Sequence, residues 1–282
     1  MTDTVTLPER RAIDPQIARS WLLVNAARAD SLALATGPAA DQLIVDLEDG
    51  VDPARKDEAR ERATEWLDRG HRAWVRINDR TSAFWSDDLA ALQSADNLLG
   101  VVLAKTEAAE HVTETFDRLG GALPVIPLVE SALGIEEATA IAKARGAFRL
   151  AFGSGDYRRD TGAAADDLAM AYPRSRLVVA SRVGGLPGPI DGPTVGTGRP
   201  LLRAQTGVAV SLGMTGKLCL DPAQVPVIDE VICPTASDVA WAREFLADFA
   251  ARGAVIRDGS DLPRLGRARK IERLAVAFGL TG

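Results

Sequence analysis

Cysteine and histidine are scarce in this sequence, and their scarcity excludes several kinds of site. The 282 residues include two cysteines, Cys219 and Cys233, and two histidines, His71 and His111. Two cysteines cannot form a disulfide framework, and neither lies in a metal-ligand spacing. Because neither histidine follows a predicted strand, we expect no histidine-rich zinc centre and no serine–histidine–aspartate triad. The cysteines are predicted to be thiols in a reducing compartment.

Positive charge is also in deficit, and very long apolar runs are absent. The chain has 33 lysines and arginines against 39 acidic residues, for a net charge of −6. This balance argues against a nucleic-acid-binding protein, which usually presents a basic face. No apolar run is long enough to span a bilayer, and the first residues show no secretory signal. We therefore expect a cytoplasmic protein without membrane or nucleic-acid partners.

Short apolar runs alternate with helical patterns along most of the chain. The runs are continuous, as in parallel strands that are buried on both faces. Strands are predicted at residues 20–24, 42–46, 73–77, 100–104, 124–129, 149–153, 176–180 and 216–220. Helices are predicted at residues 53–69, 87–92, 108–119, 134–144, 201–212, 237–251 and 264–278.

Eight strands that alternate with helices predict a (β/α)8 TIM barrel, an α/β fold, with extra helices at the C-terminal end. We place the barrel in residues 1–235 and a helical extension or lid in residues 236–282. A doubly wound open sheet is the alternative, although no G-x-G-x-x-G motif follows the first strand. The segment 184–200 is rich in glycine and proline, so we expect a long functional loop there.

Ionisable side chains follow five consecutive predicted strands. They are Asp46, Glu48, Asp49, Arg76, Lys105, Glu107, Glu130 and Asp156. Because chemistry in a TIM barrel takes place at the C-terminal ends of the strands, we expect these groups at one rim. Glu130 and Asp156 suit a Mg²⁺ or Mn²⁺ site, in which water and substrate complete the coordination. Asp52 and Ser131 are better read as helix caps, and for Asp156 capping and metal binding stay equally open.

Nine short stretches, in this order, resemble the HpcH/HpaI aldolase and citrate lyase superfamily. They are RSWLLV (19–24), DLEDGVDPARKDEAR (46–60), VRIN (75–78), LAKTE (103–107), PLVES (127–131), FGSGDY (152–157), ASRVGGLPGPIDG (180–192), GMTGKLCLDPAQV (213–225) and CPTASDVAWA (233–242). The chain looks most similar to the citrate lyase beta-subunit-like branch, which includes malyl-CoA and citramalyl-CoA lyases.

The resemblance implies a TIM barrel and a Mg²⁺-dependent lyase or aldolase. Such an enzyme joins or separates a 2-oxo acid and an acyl-CoA through an enolate. Family members are typically homotrimers or hexamers, and a C-terminal segment of a neighbour often closes the site. We therefore expect a small hydroxy or oxo acid as ligand, bound as its CoA thioester, and a homo-oligomer, either a trimer or a hexamer.

The resemblance also assigns roles to residues. Glu130 and Asp156 match the metal ligands, and Arg76 matches the residue that meets the substrate and the enolate oxygen. Asp261 matches an aspartate that transfers a proton. The remaining matches are Glu48 beside the metal waters, Arg19 near the thioester, and Asp46, Asp49 and Lys105 at the substrate.

The chain departs from the family pattern at three places. A V-P-G turn is replaced by Val24-Asn25-Ala26, and Leu34 stands where a lysine is usual. Asp221 replaces a histidine, and the motif around Asp261 is two residues short. These departures keep two rivals open: a CoA-independent 2-oxo-acid aldolase, and a non-catalytic or carrier-dependent subunit of a citrate lyase-like complex.

Overall fold

The protein, described here by a computed structural model over residues 13–34, 40–196 and 198–280, contains a closed barrel of eight parallel strands in chain order. The strands are β1 (Ser20–Asn25), β2 (Gln42–Asp46), β3 (Ala73–Ile77), β4 (Leu98–Leu103), β5 (Val125–Val129), β6 (Ala151–Phe152), β7 (Ile190–Asp191) and β8 (Gly216–Cys219). Strand β1 pairs with both β2 and β8, which closes the barrel. The predicted (β/α)8 fold is confirmed.

Helices follow the strands along the chain. They are α1 (Ala29–Leu34), α2 (Lys56–Asp68), α3 (Trp85–Leu92), α4 (Ala109–Arg118), α5 (Ala132–Lys143), α6 (Ser154–Thr161), α7 (Ala171–Val183), α8 (Arg199–Ser211), α9 (Val225–Ile232), α10 (Ala236–Ala251) and α11 (Asp261–Phe278). A short 3₁₀ turn, Pro53–Arg55, precedes α2. The predicted caps are confirmed: Asp52 accepts from the Ala54 N–H, and Ser131 accepts from the Gly134 N–H.

The strand predicted at residues 176–180 is wrong, because those residues lie in α7. The helix buries Leu177 and Ala180 on one face while Val179 stays exposed. The seventh strand is instead the two-residue β7, inside the segment 184–200 that the sequence presents as a loop.

Large apolar side chains fill the barrel interior. Trp21, Ile44, Trp74 and Ile126 belong to one buried cluster of side chains from successive strands. Below them, near the N-terminal ends of the strands, the fully buried Arg149 donates hydrogen bonds to the carbonyl oxygens of residues that include Gly188 (2.7 Å) and Ala18 (2.9 Å). The apolar interior is therefore closed at the N-terminal ends of the strands by a buried, hydrogen-bonded arginine.

The chain divides into two compact units, residues 1–228 and 229–282. The sequence placed this boundary after residue 235. In the second unit α10 and α11 pack together through a cluster that includes Phe245, Phe249 and Leu265. Within the described part of the chain, no helix is both long and apolar enough to cross a membrane.

Candidate functional site

The β2–β3 edge of the rim is organised by an ion pair between Asp46 and Arg76. Arg76 Nε and Nη2 donate to the two Asp46 oxygens at 2.7 and 2.8 Å. The same carboxylate accepts the N–H groups of Glu48 and Gly50, so it also shapes the loop after β2. Burial alone would lower the pKa of Arg76, but the carboxylates of Asp46, Glu48 and Glu130 outweigh it and raise that pKa. Arg76 is a permanent, oriented cation.

Glu48 lies between two cations. Its Oε2 is 3.2 Å from Arg76 Nη1, and its Oε1 is hydrogen-bonded to Lys105 Nζ. The ammonium group of Lys105 also lies 3.1 Å from both oxygens of Asp49. Burial raises the pKa of Glu48 in spite of these two cations. Lys105 thus links two carboxylates of the β2 loop to the end of β4.

The backbone at Lys105 adopts a conformation that is unusual for a residue with a side chain. Its φ is 46°, in the left-handed region, which costs about 1–3 kcal/mol. In this conformation the Lys105 N–H donates to Glu130 Oε1 at 2.8 Å while its side chain reaches the β2 loop. A strained backbone persists only where surrounding contacts hold it, and such positions are common at functional sites.

Glu130 directly follows β5 and is buried. Burial raises its pKa to about 8, the negative charges of Glu48 and Asp156 act in the same direction, and Arg76 and the Lys105 N–H oppose it. A Cβ atom at Gly153 would overlap the Glu130 carboxylate, so the glycine makes room for this side chain. The site therefore holds a carboxylate that lacks enough positive charge around it.

Asp156 lies in the first turn of α6, just after β6, and pairs with Arg159 on the same helix (Oδ1 to Nη1, 3.0 Å). Arg159 is largely exposed, so this pair is a weak constraint. Asp156 does not cap the helix, for which no side-chain cap is found. The capping alternative is thus removed, and Asp156 stays a candidate ligand beside Glu130.

One predicted site residue, Arg19, does not join this rim, and another, Asp261, belongs to the second unit. Arg19 precedes β1, at the opposite end of the strand from the acidic residues, and its Nε donates to Asp41 at 2.8 Å. Asp261 lies in the second unit, where its carboxylate accepts from Arg252 at 2.7 and 3.1 Å and from the Arg257 N–H at 2.8 Å. These bonds hold the pKa of Asp261 well below its usual range. They favour a structural role, since proton transfer needs a carboxylate that readily accepts a proton.

The departures from the family pattern also have structural places. Asn25, at the end of β1, donates to the Gly50 carbonyl and accepts from the Ala27 N–H, which joins the β1 and β2 loops. Asp221 caps the turn after β8 by accepting from the Ala223 N–H at 2.8 Å. Leu34 ends α1, and its side chain lies outside the described part of the chain.

Sequence reasoning missed a buried polar network beneath the β2 loop. Its members are Lys56, Arg60, Asn78 and Asp88, all at most 8% exposed. The available signal was the spacing of Lys56 and Arg60, which places them on the same face of α2 as the buried Ala59 and Ala63. Charged residues on a helix usually face solvent, so this signal is easily passed over.

The chain is similar to known proteins over nearly all of its length. The sequence family described as HpcH/HpaI aldolase/citrate lyase matches residues 19–222, and the HpcH/HpaI aldolase C-terminal domain matches residues 237–279. A citrate lyase subunit beta-like protein of Deinococcus radiodurans is 31% identical over 278 residues, covering 91% of this chain and 97% of that protein. Human mitochondrial citramalyl-CoA lyase is 31% identical over 272 residues, covering 84% of this chain and 79% of that protein.

Solved structures agree with the sequence comparison. The crystal structure of CitE from Mycobacterium tuberculosis in complex with magnesium, acetoacetate and coenzyme A has a TM-score of 0.78 at 28% identity. It covers 94% of this chain, and the match covers 99% of that structure. A citrate lyase beta subunit complexed with oxaloacetate and magnesium, also from M. tuberculosis, has a TM-score of 0.69 at 30% identity and covers 78% of this chain and 99% of that structure.

Proposed function

The chain belongs to the HpcH/HpaI aldolase/citrate lyase family, and from this premise we propose that it is a Mg²⁺-dependent carbon–carbon lyase acting on a small hydroxyacyl-CoA. The observation that carries the proposal is the rim cluster, in which the buried Glu130 lies near both the oriented cation Arg76 and the carboxylate of Asp156. The names and ligands of the relatives supply the reaction class and the metal.

The rim residues fit a magnesium ion. Glu130 is buried among like charges that raise its pKa, and a divalent cation would relieve that repulsion. Among the residues that the structure describes, no three acidic, histidine or cysteine side chains could form a cage. Two carboxylates, with water and substrate as further ligands, are a common way to hold Mg²⁺. When bound, the metal would act as a Lewis acid on the oxygen atoms of the acid substrate.

Arg76 is suited to stabilise the enolate oxygen of the acyl thioester. In the cleavage direction a base takes the hydroxyl proton, the hydroxyl carbon becomes the carbonyl of the oxo acid, and the electron pair of the broken carbon–carbon bond forms the enolate of the acyl-CoA. The enolate then takes up one proton at carbon, so the reaction releases no net proton. Only two of the five guanidinium N–H groups donate to Asp46, so donors remain for the developing negative oxygen. Asp46 acts by fixing the direction of the guanidinium plane.

Lys105, Glu48 and Asp49 support the bound acid. The Lys105 side chain is 31% exposed, so a substrate carboxylate can reach this cation from solvent. Glu48 holds Arg76 and Lys105 apart at fixed positions, and Asp49 limits the freedom of the ammonium group. We assign these three residues to orientation of the substrate and of the ligands around the metal.

A CoA-independent 2-oxo-acid aldolase is the second candidate. Leu34, in place of the usual lysine, favours it because one predicted contact to a phosphate group is lost. The CoA-bound structural relative favours the CoA ester. A non-catalytic or carrier-dependent subunit would instead show no turnover when isolated. A homotrimer or hexamer stays part of the proposal, and light scattering of the purified chain measures it.

Mass spectrometry of reaction mixtures tests the proposal. Purified protein is incubated with Mg²⁺, acetyl-CoA or propionyl-CoA, and glyoxylate, pyruvate or oxaloacetate, with a parallel series in EDTA. We expect one pair to give an EDTA-sensitive product whose mass is the sum of the two reactants. Condensation or cleavage of free acids alone would support the aldolase, and no product from folded protein that binds Mg²⁺ would support the carrier-dependent subunit.

A further inference from the structure

The loop after β2 carries Glu48 and Asp49, and its backbone is anchored from below by a single lysine. Lys56 Nζ donates to the carbonyl oxygens of Leu47 (2.7 Å) and Glu48 (2.8 Å). Its third hydrogen bond goes to Asn78 Oδ1 at 2.8 Å. An ammonium group has three donors, so all of them are used.

The lysine is itself held by a buried chain of polar groups. Asn78 Nδ2 donates to the Leu47 carbonyl (3.1 Å) and to Asp88 Oδ2 (2.6 Å), and the Asn78 N–H donates to the same oxygen at 3.0 Å. The other oxygen of Asp88 accepts from Arg60 Nη1 at 3.0 Å. Asp88 is fully buried, and Lys56 and Asn78 are each 5% exposed. A network that is satisfied and buried to this degree is rigid.

The network is almost wholly buried, and its hydrogen bonds end on the peptide groups that carry Glu48. On the upper side of the same loop, the Glu48 carboxylate meets Arg76 and Lys105. The loop is therefore held at two places. Lys56 binds its backbone carbonyl oxygens, and Arg76 and Lys105 bind the Glu48 carboxylate.

We propose that Lys56, with Asn78 and Asp88 behind it, is a positioning residue that holds Glu48 in register with Arg76 and Lys105. Displacement of a site by a distance of about 1 Å can lower turnover about 100-fold, so a rigid support of this kind has catalytic consequences. The predicted effect on turnover, the kinetic part of the proposal, rests on the proposed lyase function. The predicted effect on the position of the β2 loop, the structural part, does not.

Amide hydrogen exchange followed by mass spectrometry tests the structural part. The variant is Lys56→Met, which keeps the length of the side chain and removes the charge and the donors. We expect exchange in residues 46–51 to become about 10- to 100-fold faster, because buried carbonyl groups lose a charged donor. The milder variant Asp88→Asn keeps the shape of the side chain and should also speed amide exchange in residues 46–51. It provides the test if the Lys56→Met protein fails to fold.

Lys217 offers a matched control. It is 1% exposed and donates to Asp191 Oδ2 (2.8 Å) and to the Gly192 carbonyl (2.6 Å), on the β7–β8 side of the barrel. Lys217→Met therefore removes a buried lysine without removing a contact to the β2 loop. We expect exchange in residues 46–51 to stay at the wild-type rate in this variant. Equal acceleration in both lysine variants, or none in Lys56→Met and Asp88→Asn, would overturn the proposal.

A double-mutant cycle tests the kinetic part once turnover has been measured in the wild type. If Lys56 acts through Glu48, Glu48→Gln should lower kcat much less in the Lys56→Met background than in the wild type. In the Lys217→Met background its effect should be undiminished. Additive losses in both backgrounds would contradict the positioning role. Absence of turnover in the wild type would refute the lyase function and leave the exchange result standing.

Discussion

At the scale of single residues, the proposed function requires an Arg76 guanidinium group that is fixed in orientation and still accessible to a substrate oxygen. Its side chain is 13% exposed, and its ion pair with Asp46 uses two parallel hydrogen bonds. Such a fork fixes the plane of the guanidinium group, which a lysine could not do. The resemblance assigns Arg76 to the substrate and the enolate oxygen, and the structure adds the ion pair with Asp46, which local sequence does not report.

Replacement of Arg76 separates transition-state stabilisation from substrate binding. We expect Arg76→Ala to lower kcat about 10²–10³-fold or more, as the loss of an oxyanion donor does. Steady-state kinetics measures the change, and Arg145→Ala is the control, because Arg145 is a largely exposed arginine that pairs with Asp117 and lies over the Phe116 ring. An increase in KM at unchanged kcat would contradict the assignment to the enolate.

The raised pKa of Glu130 predicts a pH dependence for stability in EDTA. The carboxyl has a pKa of 4.5 in an unfolded chain and about 8 in the folded protein, so folding favours its neutral form. Its contribution to stability is therefore complete below pH 4.5 and is lost as the pH rises through about 8. Urea unfolding between these values should show a decline that is smaller in Glu130→Gln. Identical pH profiles in the two proteins would show that Glu130 is not buried as described.

The same residue predicts competition between protons and Mg²⁺. A metal ligand must lose its proton, so Mg²⁺ binding should release about one proton below pH 8. The apparent affinity should then fall about tenfold for each pH unit below that value. Calorimetric titrations in buffers of different ionisation enthalpy measure the release. A pH-independent affinity between pH 6 and 8 would argue that Glu130 is not a ligand.

At the scale of elements, the sequence predicted strands well where a continuous apolar run ends in polar residues. Strands β2 and β3 were found with their bounds, since QLIVD and AWVRI are β-rich and short. The run RLVVA was misread, because a continuous apolar run does not distinguish a strand from a half-buried helix. Strand β7 is too short to show a pattern, and glycines and prolines surround it. Its pairing with β6 and β8 in the closed barrel identifies it as a strand.

The connection between α10 and α11 predicts a local effect of Asp261. Its folded pKa is depressed, so its contribution to stability is present above the unfolded value of 3.8 and is lost as the pH falls further. Asp261→Asn should speed amide exchange in residues 252–261 at neutral pH, and the difference in stability from the wild type should narrow below pH 3.8.

The control is Glu272→Gln, which breaks an exposed pair with Arg243 in the same unit. It should lower the free energy of unfolding by about 0–1 kcal/mol. A changed pH profile of kcat in Asp261→Asn, at unchanged exchange, would instead restore the proton-transfer role that the resemblance implies.

At the scale of the whole molecule, the order of the motifs carried the family prediction, and the comparisons confirm it. The positions of Glu130, Asp156 and Arg76 at or just after the ends of their strands could be predicted because parallel strands of a barrel end at one rim. Arg19 directly precedes the strand predicted at residues 20–24, so strand direction already places it at the other end of the barrel, and only the resemblance assigned it to the thioester. The buried contact between Lys56 and Asn78 joins residues that are 22 positions apart, and local spacing does not report it.

The most direct test of the account is turnover as a function of Mg²⁺ concentration, measured for the wild type and for Asp156→Ala with the acyl-CoA and oxo-acid pair that the wild type accepts. Asp156 is partly exposed, and its salt bridge among the described residues is with the exposed Arg159, so the variant should keep its fold and melting temperature. We predict saturable Mg²⁺ dependence in the wild type and no Mg²⁺-dependent turnover in the variant. Full activity in Asp156→Ala, or wild-type turnover that is insensitive to EDTA, would contradict the metal site on which the proposed function stands.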